Sequence, residues 1–153
     1  MEVYRISAPR YAQRLTASGV ANRWNMAGQF IIYTAATASL ACLENVVHRG
    51  AEGLQAPFKL MRLDIPDQVL IEEVPAAMLP AGWQQVTSYP QCQEIGVAWY
   101  QLRQSAVLKV PSAIITSEAN YLLNTNHPDF GLITLVGTED FVFDPRIKEE
   151  IKN

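Results

Sequence analysis

The chain is poor in the side chains that most enzyme sites rely on. Among its 153 residues there are two histidines and two cysteines. Neither His48 nor His127 has metal-ligand spacing to another histidine or to a cysteine. Cys42 and Cys92 form no CxxC pair. These scarcities argue against a zinc centre, a Ser-His-Asp triad and a disulfide framework, and two reduced thiols suit an intracellular chain. No stretch approaches the ~20 apolar residues of a membrane span. The opening "MEVYRISAPR" has no apolar run behind its charges, so it does not read as a signal peptide, and a cytoplasmic location is expected. There is no GxGxxG, Walker A loop, HExxH or GxSxG elbow. The formal net charge is −3 with both signs interspersed, which excludes the basic stripe of a nucleic-acid surface. A small anionic substrate held by one or two arginines stays compatible with all of this.

Apolar residues make up 49% of the chain, enough for a substantial core. The length suits a single domain over residues 1–153, without internal repeat or long linker. "EVYRIS" reads as a strand, and "GQFIIYTA" as a second ending near Tyr33. A helix follows, capped by Thr34 or Thr37, with a basic last turn at His48-Arg49 and Gly50 as its C′ glycine. "PFKLMRLDIP" and "VLIEEV" read as strands separated by a Pro-Asp turn, and "AAMLPAGW" as irregular. "PQCQEIGVAWYQLRQS" is a helix with Ile95, Trp99 and Leu102 on its apolar stripe. "AVLKVPSAII" is a strand interrupted by Pro111, which points to an edge or a bulge. "SEANYLLNTNHPDFG" reads as a short capped turn or helix followed by a loop, and "GLITLVG" and "DFVFD" as two closing strands. Strands outnumber helices without regular alternation, so the expected class is α+β with mostly antiparallel sheet.

Four places could carry chemistry. On the first helix Leu40, Leu43 and Val47 define an apolar stripe, and Glu44 stands among them. It is either solvated at an exposed helix edge or turned toward a cleft, because an ionised carboxylate facing a core is costly unless paired. In "NRWNMAG" Arg23 offers a planar fork suited to phosphate and Trp24 a flat face for a ring; equally, Arg23 could form a structural ion pair and Trp24 be core. Ser112, after Pro111, is the kind of hydroxyl that backbone usually satisfies. Asn120 and Asn124 stand one helical turn apart ahead of His127-Pro128-Asp129, a pattern that alone is a capped loop.

In their order, "RWNMAGQFIIYTAATASLACLENVVH", "VPSA", "NYLLNTNHPDF" and "FVFDPRI" resemble the RES-domain family, the toxins of RES–Xre toxin–antitoxin pairs. The resemblance runs from Tyr4-Arg5 to Arg146. It places the family's name-giving Arg, Glu and Ser at Arg23, Glu44 and Ser112, its active-site tyrosine at Tyr33 and a pocket asparagine at Asn120. Where the family usually has Gly-Gly before the arginine, this chain has Ala21-Asn22, and asparagine tolerates the left-handed region better than most residues.

The resemblance implies a compact α+β domain similar to ADP-ribosyltransferases, with two packed sheets around an NAD cleft. It implies cleavage of the nicotinamide–ribose bond, with NAD as substrate, phosphate as possible co-substrate, and neither cofactor nor metal. Glu44, Arg23 and Tyr33 would be catalytic, and Arg23, Tyr33, Ser112 and Asn120 would bind substrate, Arg23 at the pyrophosphate. It also implies an Xre-family helix-turn-helix antitoxin as partner, with "AAMLPAGW" as a possible contact, and a homodimer within that complex. Two other readings stay open: an ADP-ribosyltransferase acting on a protein, and a catalytically silent domain kept for antitoxin binding.

Overall fold

A computed structural model describes residues 1–148. It contains seven strands and two helices: β1 (Glu2–Ser7), β2 (Ile31–Ala35), α1 (Ala38–His48), β3 (Phe58–Asp64), β4 (Ile71–Glu73), α2 (Tyr89–Leu102), β5 (Val107–Pro111), β6 (Ala119–Asn124) and β7 (Thr134–Phe141). The class is α+β, as the sequence predicts. All strands join one hydrogen-bonded sheet in the order β4-β5-β6-β2-β1-β3-β7, antiparallel except for the β4–β5 pair. One sheet thus replaces the two that the resemblance implies. It is nevertheless nearly divided, because β1 and β2 meet at a single pairing, Tyr4 with Ala35. The flanking pairs β1–β3 and β2–β6 run along their strands. The sheet opens at the β1–β2 seam, and the main cavity lies there.

Several elements depart from the sequence reading for physical reasons. "ANYLLN" is not a capped turn but β6, an inner strand between β5 and β2. Tyr121, Leu122, Leu123 and Asn124 are all buried, so both faces are covered and no alternation marks a strand. The two expected closing strands are one, β7, which crosses Gly137 with a register shift opposite Arg62 and Leu63. Thr37 caps α1, its Oγ1 accepting from the Leu40 amide at 3.1 Å. At the other end Arg49 leaves the helix extended, so Gly50 supplies no left-handed cap. The buried stripe of α2 is Cys92, Gly96 and Trp99, while Leu102 is exposed.

Pro111 fits β5 because β4 has already left. The β4 pairing ends at Lys109, and beyond it Pro111 has only Ala119 of β6 beside it. Ser112 therefore emerges at a fixed point at the strand's end. A core of Val3, Ile32, Met61, Leu63, Val107 and Leu123 lies against the sheet, and a second cluster packs α1 through Leu40 and Ala41 against Ile6, Phe58 and Leu60. A third packs Trp24, Trp83, Cys92 and Trp99 against Leu108 and Leu122, fastening α2 to the loop ahead of β2. Both thiols are free. No helix of the described residues is long and apolar enough to cross a membrane.

Candidate active site

The cavity at the β1–β2 seam has a volume of about 700 Å³. Arg23, Tyr33, Glu44 and Asn120 all line it, although they come from a loop, β2, α1 and β6. Sequence reasoning on Glu44 leaves surface and cleft open, and the structure places it at the cleft, 21% exposed. Helix α1 has two inward faces. Leu40 and Ala41 contact the core, and Glu44, Asn45 and His48 turn to the cavity, where Val47 is half exposed.

Ser112 holds Glu44. The serine is fully buried, and its Oγ accepts from the amides of Ile114 at 3.1 Å and Ile115 at 3.2 Å. With both acceptor sites used, its proton is directed at Glu44 Oε1, 2.9 Å away. The other carboxylate oxygen lies 3.6 Å from His48 Nε2, one helical turn on. Ser112 is not among the residues that line the cavity and stands behind the Glu44 carboxylate.

Tyr33 is held equally firmly. Its hydroxyl donates to Asn25 Oδ1 at 2.6 Å and accepts from the Trp24 amide at 3.1 Å. Burial pushes the phenol far above its ordinary range, partly offset by the Trp24 amide, so it stays protonated. Asn25 in turn donates to the carbonyls of Val20, Met26 and Gln29, which sets the shape of the loop carrying Arg23. Asn120 donates to the Thr34 carbonyl at 3.3 Å. Asn124, its sequence partner, is buried away from the cavity and donates to the Tyr100 carbonyl.

Arg23 makes no ion pair among the described residues. Its Nη1 donates to the carbonyls of Trp83 at 2.6 Å and Gln85 at 3.4 Å, and its Nη2 to Gln84 at 2.7 Å. Its guanidinium lies 4.6 Å from the Tyr89 ring centre. Trp24 is core, tilted against Trp83 with ring centres 6.2 Å apart. Asn22 keeps ordinary backbone geometry and accepts from the Arg23 amide at 2.8 Å, so the loop needs no left-handed residue where the family has Gly-Gly.

The RES domain matches residues 2–144, nearly the whole chain, and this decides the family. This chain belongs to the RES domain family of toxins. It is 37% identical to the Prs ADP-ribosylating toxin of Sphingobium sp. strain YBL2 over 127 residues, 82% of this chain and 79% of that one. It is 34% identical to Toxin Res of Yersinia enterocolitica over 153 residues, 97% of this chain and 100% of the relative. Its fold matches a chain in the crystal structure of the M. tuberculosis MbcT-MbcA toxin-antitoxin complex, with a TM-score of 0.74 at 21% identity, covering 95% of this chain and 85% of that one.

Three contributors to this RES domain's site escape a reading of the sequence. Arg5 of β1 lines the cavity, half-buried, and donates to the Thr16 carbonyl at 2.8 Å, without a carboxylate partner among the described residues. Burial draws its pKa down. The "YR" pair that opens the resemblance contains it, but nothing local marks it as different from a strand arginine. Asn25 is the second, concealed because its role depends on Tyr33 eight residues away. Gly96 is the third. A Cβ there would fall 1.7 Å from the Trp24 carbonyl oxygen, so glycine is what lets α2 approach the Arg23 loop. Gln93, one turn earlier, donates to the carbonyls of Asn22 and Asn25.

Proposed function

We propose that this RES domain is a toxin that consumes NAD by breaking the bond between nicotinamide and ribose. The observation that carries the reading is a carboxylate, Glu44, fixed by a committed serine proton in a cavity where, among the described residues, the other formally charged side chains are arginines. Arg5, Arg23 and Arg49 line the cavity with Glu44, although the whole chain is acidic. Such a field draws in an anionic ligand such as a pyrophosphate. Breaking an N-glycosidic bond builds positive charge on the sugar, which a preorganised carboxylate stabilises. The electron pair of the C1″–N bond leaves with nicotinamide, which departs neutral, so no strong general acid is required. An oxygen of the acceptor forms the new bond to C1″, and the acceptor's proton passes to solvent. Tyr33, locked in its protonated form, and Asn120 would shape the nicotinamide-ribose end.

Phosphate is the proposed acceptor, giving ADP-ribose 1″-phosphate, with water as the competing one. A second reading, transfer to a protein, is favoured by the relative named an ADP-ribosylating toxin. Incubation of the purified protein with NAD, with and without phosphate, and identification of products by mass separates them. Phosphate-accelerated loss of NAD with a phosphorylated ADP-ribose is expected. Phosphate-independent release of ADP-ribose would leave hydrolysis, and a labelled protein without free product would favour the transferase. An antitoxin of the Xre class is the proposed partner, supported by the toxin-antitoxin complex containing the fold neighbour. Met78 and Val86, both largely exposed and the latter on the cavity wall, suit a contact that covers the mouth. Trp83 of the same stretch does not, being core. A homodimer within that complex remains part of the proposal.

A further inference from the structure

The guanidinium of Arg23 is already engaged. Both of its Nη atoms point at the consecutive carbonyls of Trp83, Gln84 and Gln85, and one ring face of Tyr89 lies against it. Three carbonyls converging on one cation make a socket, and the socket belongs to the segment that forms one wall of the cavity through Gln84, Val86 and Tyr89. That segment is otherwise fastened by short-range bonds: Trp83 amide to Pro80, Gln85 amide to Gly82, Ser88 amide to Gln85, and Ser88 Oγ to Gly82. Only Trp83 is buried; Gln84, Gln85, Val86 and Thr87 are exposed. A short turn with little buried surface has low local stability unless something external ties it down. Lysine cannot replace arginine in this task, because one ammonium cannot present the fixed fork that meets successive carbonyls.

We infer that Arg23 is a positioning residue: it acts on the substrate through the 83–89 wall that it holds, not chiefly by gripping a phosphate. The inference deepens the proposed NAD reading by assigning one residue of that site, yet the wall it describes exists without ligand, so each can fail alone. Arg5 and Arg49, each with one hydrogen-bond partner among the described residues, are then the cavity arginines left with the most free donor capacity.

Hydrogen exchange on the ligand-free protein tests this directly. In Arg23→Lys the amides of Trp83, Gln85 and Ser88 should exchange about tenfold faster or more, as expected from losing charge-assisted bonds to the turn. Amides of β3 and β7, remote from the loop, should keep their rates. Unchanged protection of 83–88 in the folded variant would overturn the inference. Should the variant not fold, the wild-type protein supplies a second measurement: nitrogen-15 spectra of the guanidinium. Arg23 should then show resolved, slowly exchanging Nη protons without ligand, and keep them on addition of inorganic pyrophosphate. Averaged Nη signals in the free protein, or release of the carbonyl bonds as pyrophosphate binds, would contradict the positioning role. Neither readout depends on whether the protein turns over NAD.

Discussion

Two residues behind the cavity wall should separate positioning from chemistry. Ser112→Ala removes the proton directed at Glu44 and takes the acceptor from the part-buried amides of Ile114 and Ile115. Turnover should fall, and stability with it by about 0.5–1.5 kcal/mol, the net worth of an ordinary intramolecular hydrogen bond. Urea melts and initial rates on the same preparation check both; lost turnover with full stability would show that the hydroxyl does not anchor the turn. Tyr33 allows a test by pH. Its pKa is raised by burial in the folded state, so the stability its neutral form contributes is complete below the unfolded value of 10.0 and is lost progressively as pH rises above it. Tyr33→Phe strips Asn25 of its hydroxyl donor and should cost about 1–3 kcal/mol near pH 8. Above pH 10 the wild type should lose part of that advantage. A gap between the two proteins that stays constant up to pH 11 would mean that Tyr33 ionises as easily folded as unfolded.

At the scale of elements, the close approach of α2 to the Arg23 loop rests on one missing methyl. Gly96→Ala sets a Cβ 1.7 Å from the Trp24 carbonyl, so helix or loop must shift. Overpacking of this kind costs about 1–3 kcal/mol or more. The loop contributes Arg23 and the Trp24 and Asn25 contacts of Tyr33, so activity should fall with melting temperature; wild-type activity with a lowered melting temperature would uncouple the helix from the site. Gly96 also shows why part of the fold was hidden in the sequence. Its partner lies more than seventy residues earlier, and no local pattern encodes that contact. By contrast β1, β2, β3 and α1 carry their own signals: short runs rich in aliphatic and aromatic residues, a Thr cap, and an apolar run ended by Pro66. Strand β6 could not be read from periodicity because it is covered on both faces, and β7 was divided by its Gly137 although the chain pairs through it. At the site, Glu44 was legible as a carboxylate out of place on a helix wheel. That its holder is Ser112 was not, since the bond spans 68 positions and depends on where β5 ends.

The whole molecule is an acidic chain that concentrates arginine at one seam of its sheet. Arg5, Arg23 and Arg49 reach the cavity from β1, the β2 loop and the end of α1, while Glu44 is the only Asp or Glu among the described residues on its wall. This arrangement predicts that association with an anionic substrate weakens as salt rises, because the attraction is a field effect of exposed and half-exposed charge. An affinity for NAD unchanged between low and high ionic strength would deny the arginines that role. Whether Glu44 stabilises positive charge developing on ribose is decided by the release of nicotinamide from NAD by Glu44→Gln, measured beside the wild type. Glutamine keeps the size of the side chain and an oxygen for the Ser112 proton, so the pocket should keep its shape. Nicotinamide release should fall roughly 10²–10³-fold, as on losing one preorganised stabiliser, while NAD affinity changes far less. Release at the wild-type rate by the folded variant would remove Glu44 from the chemistry.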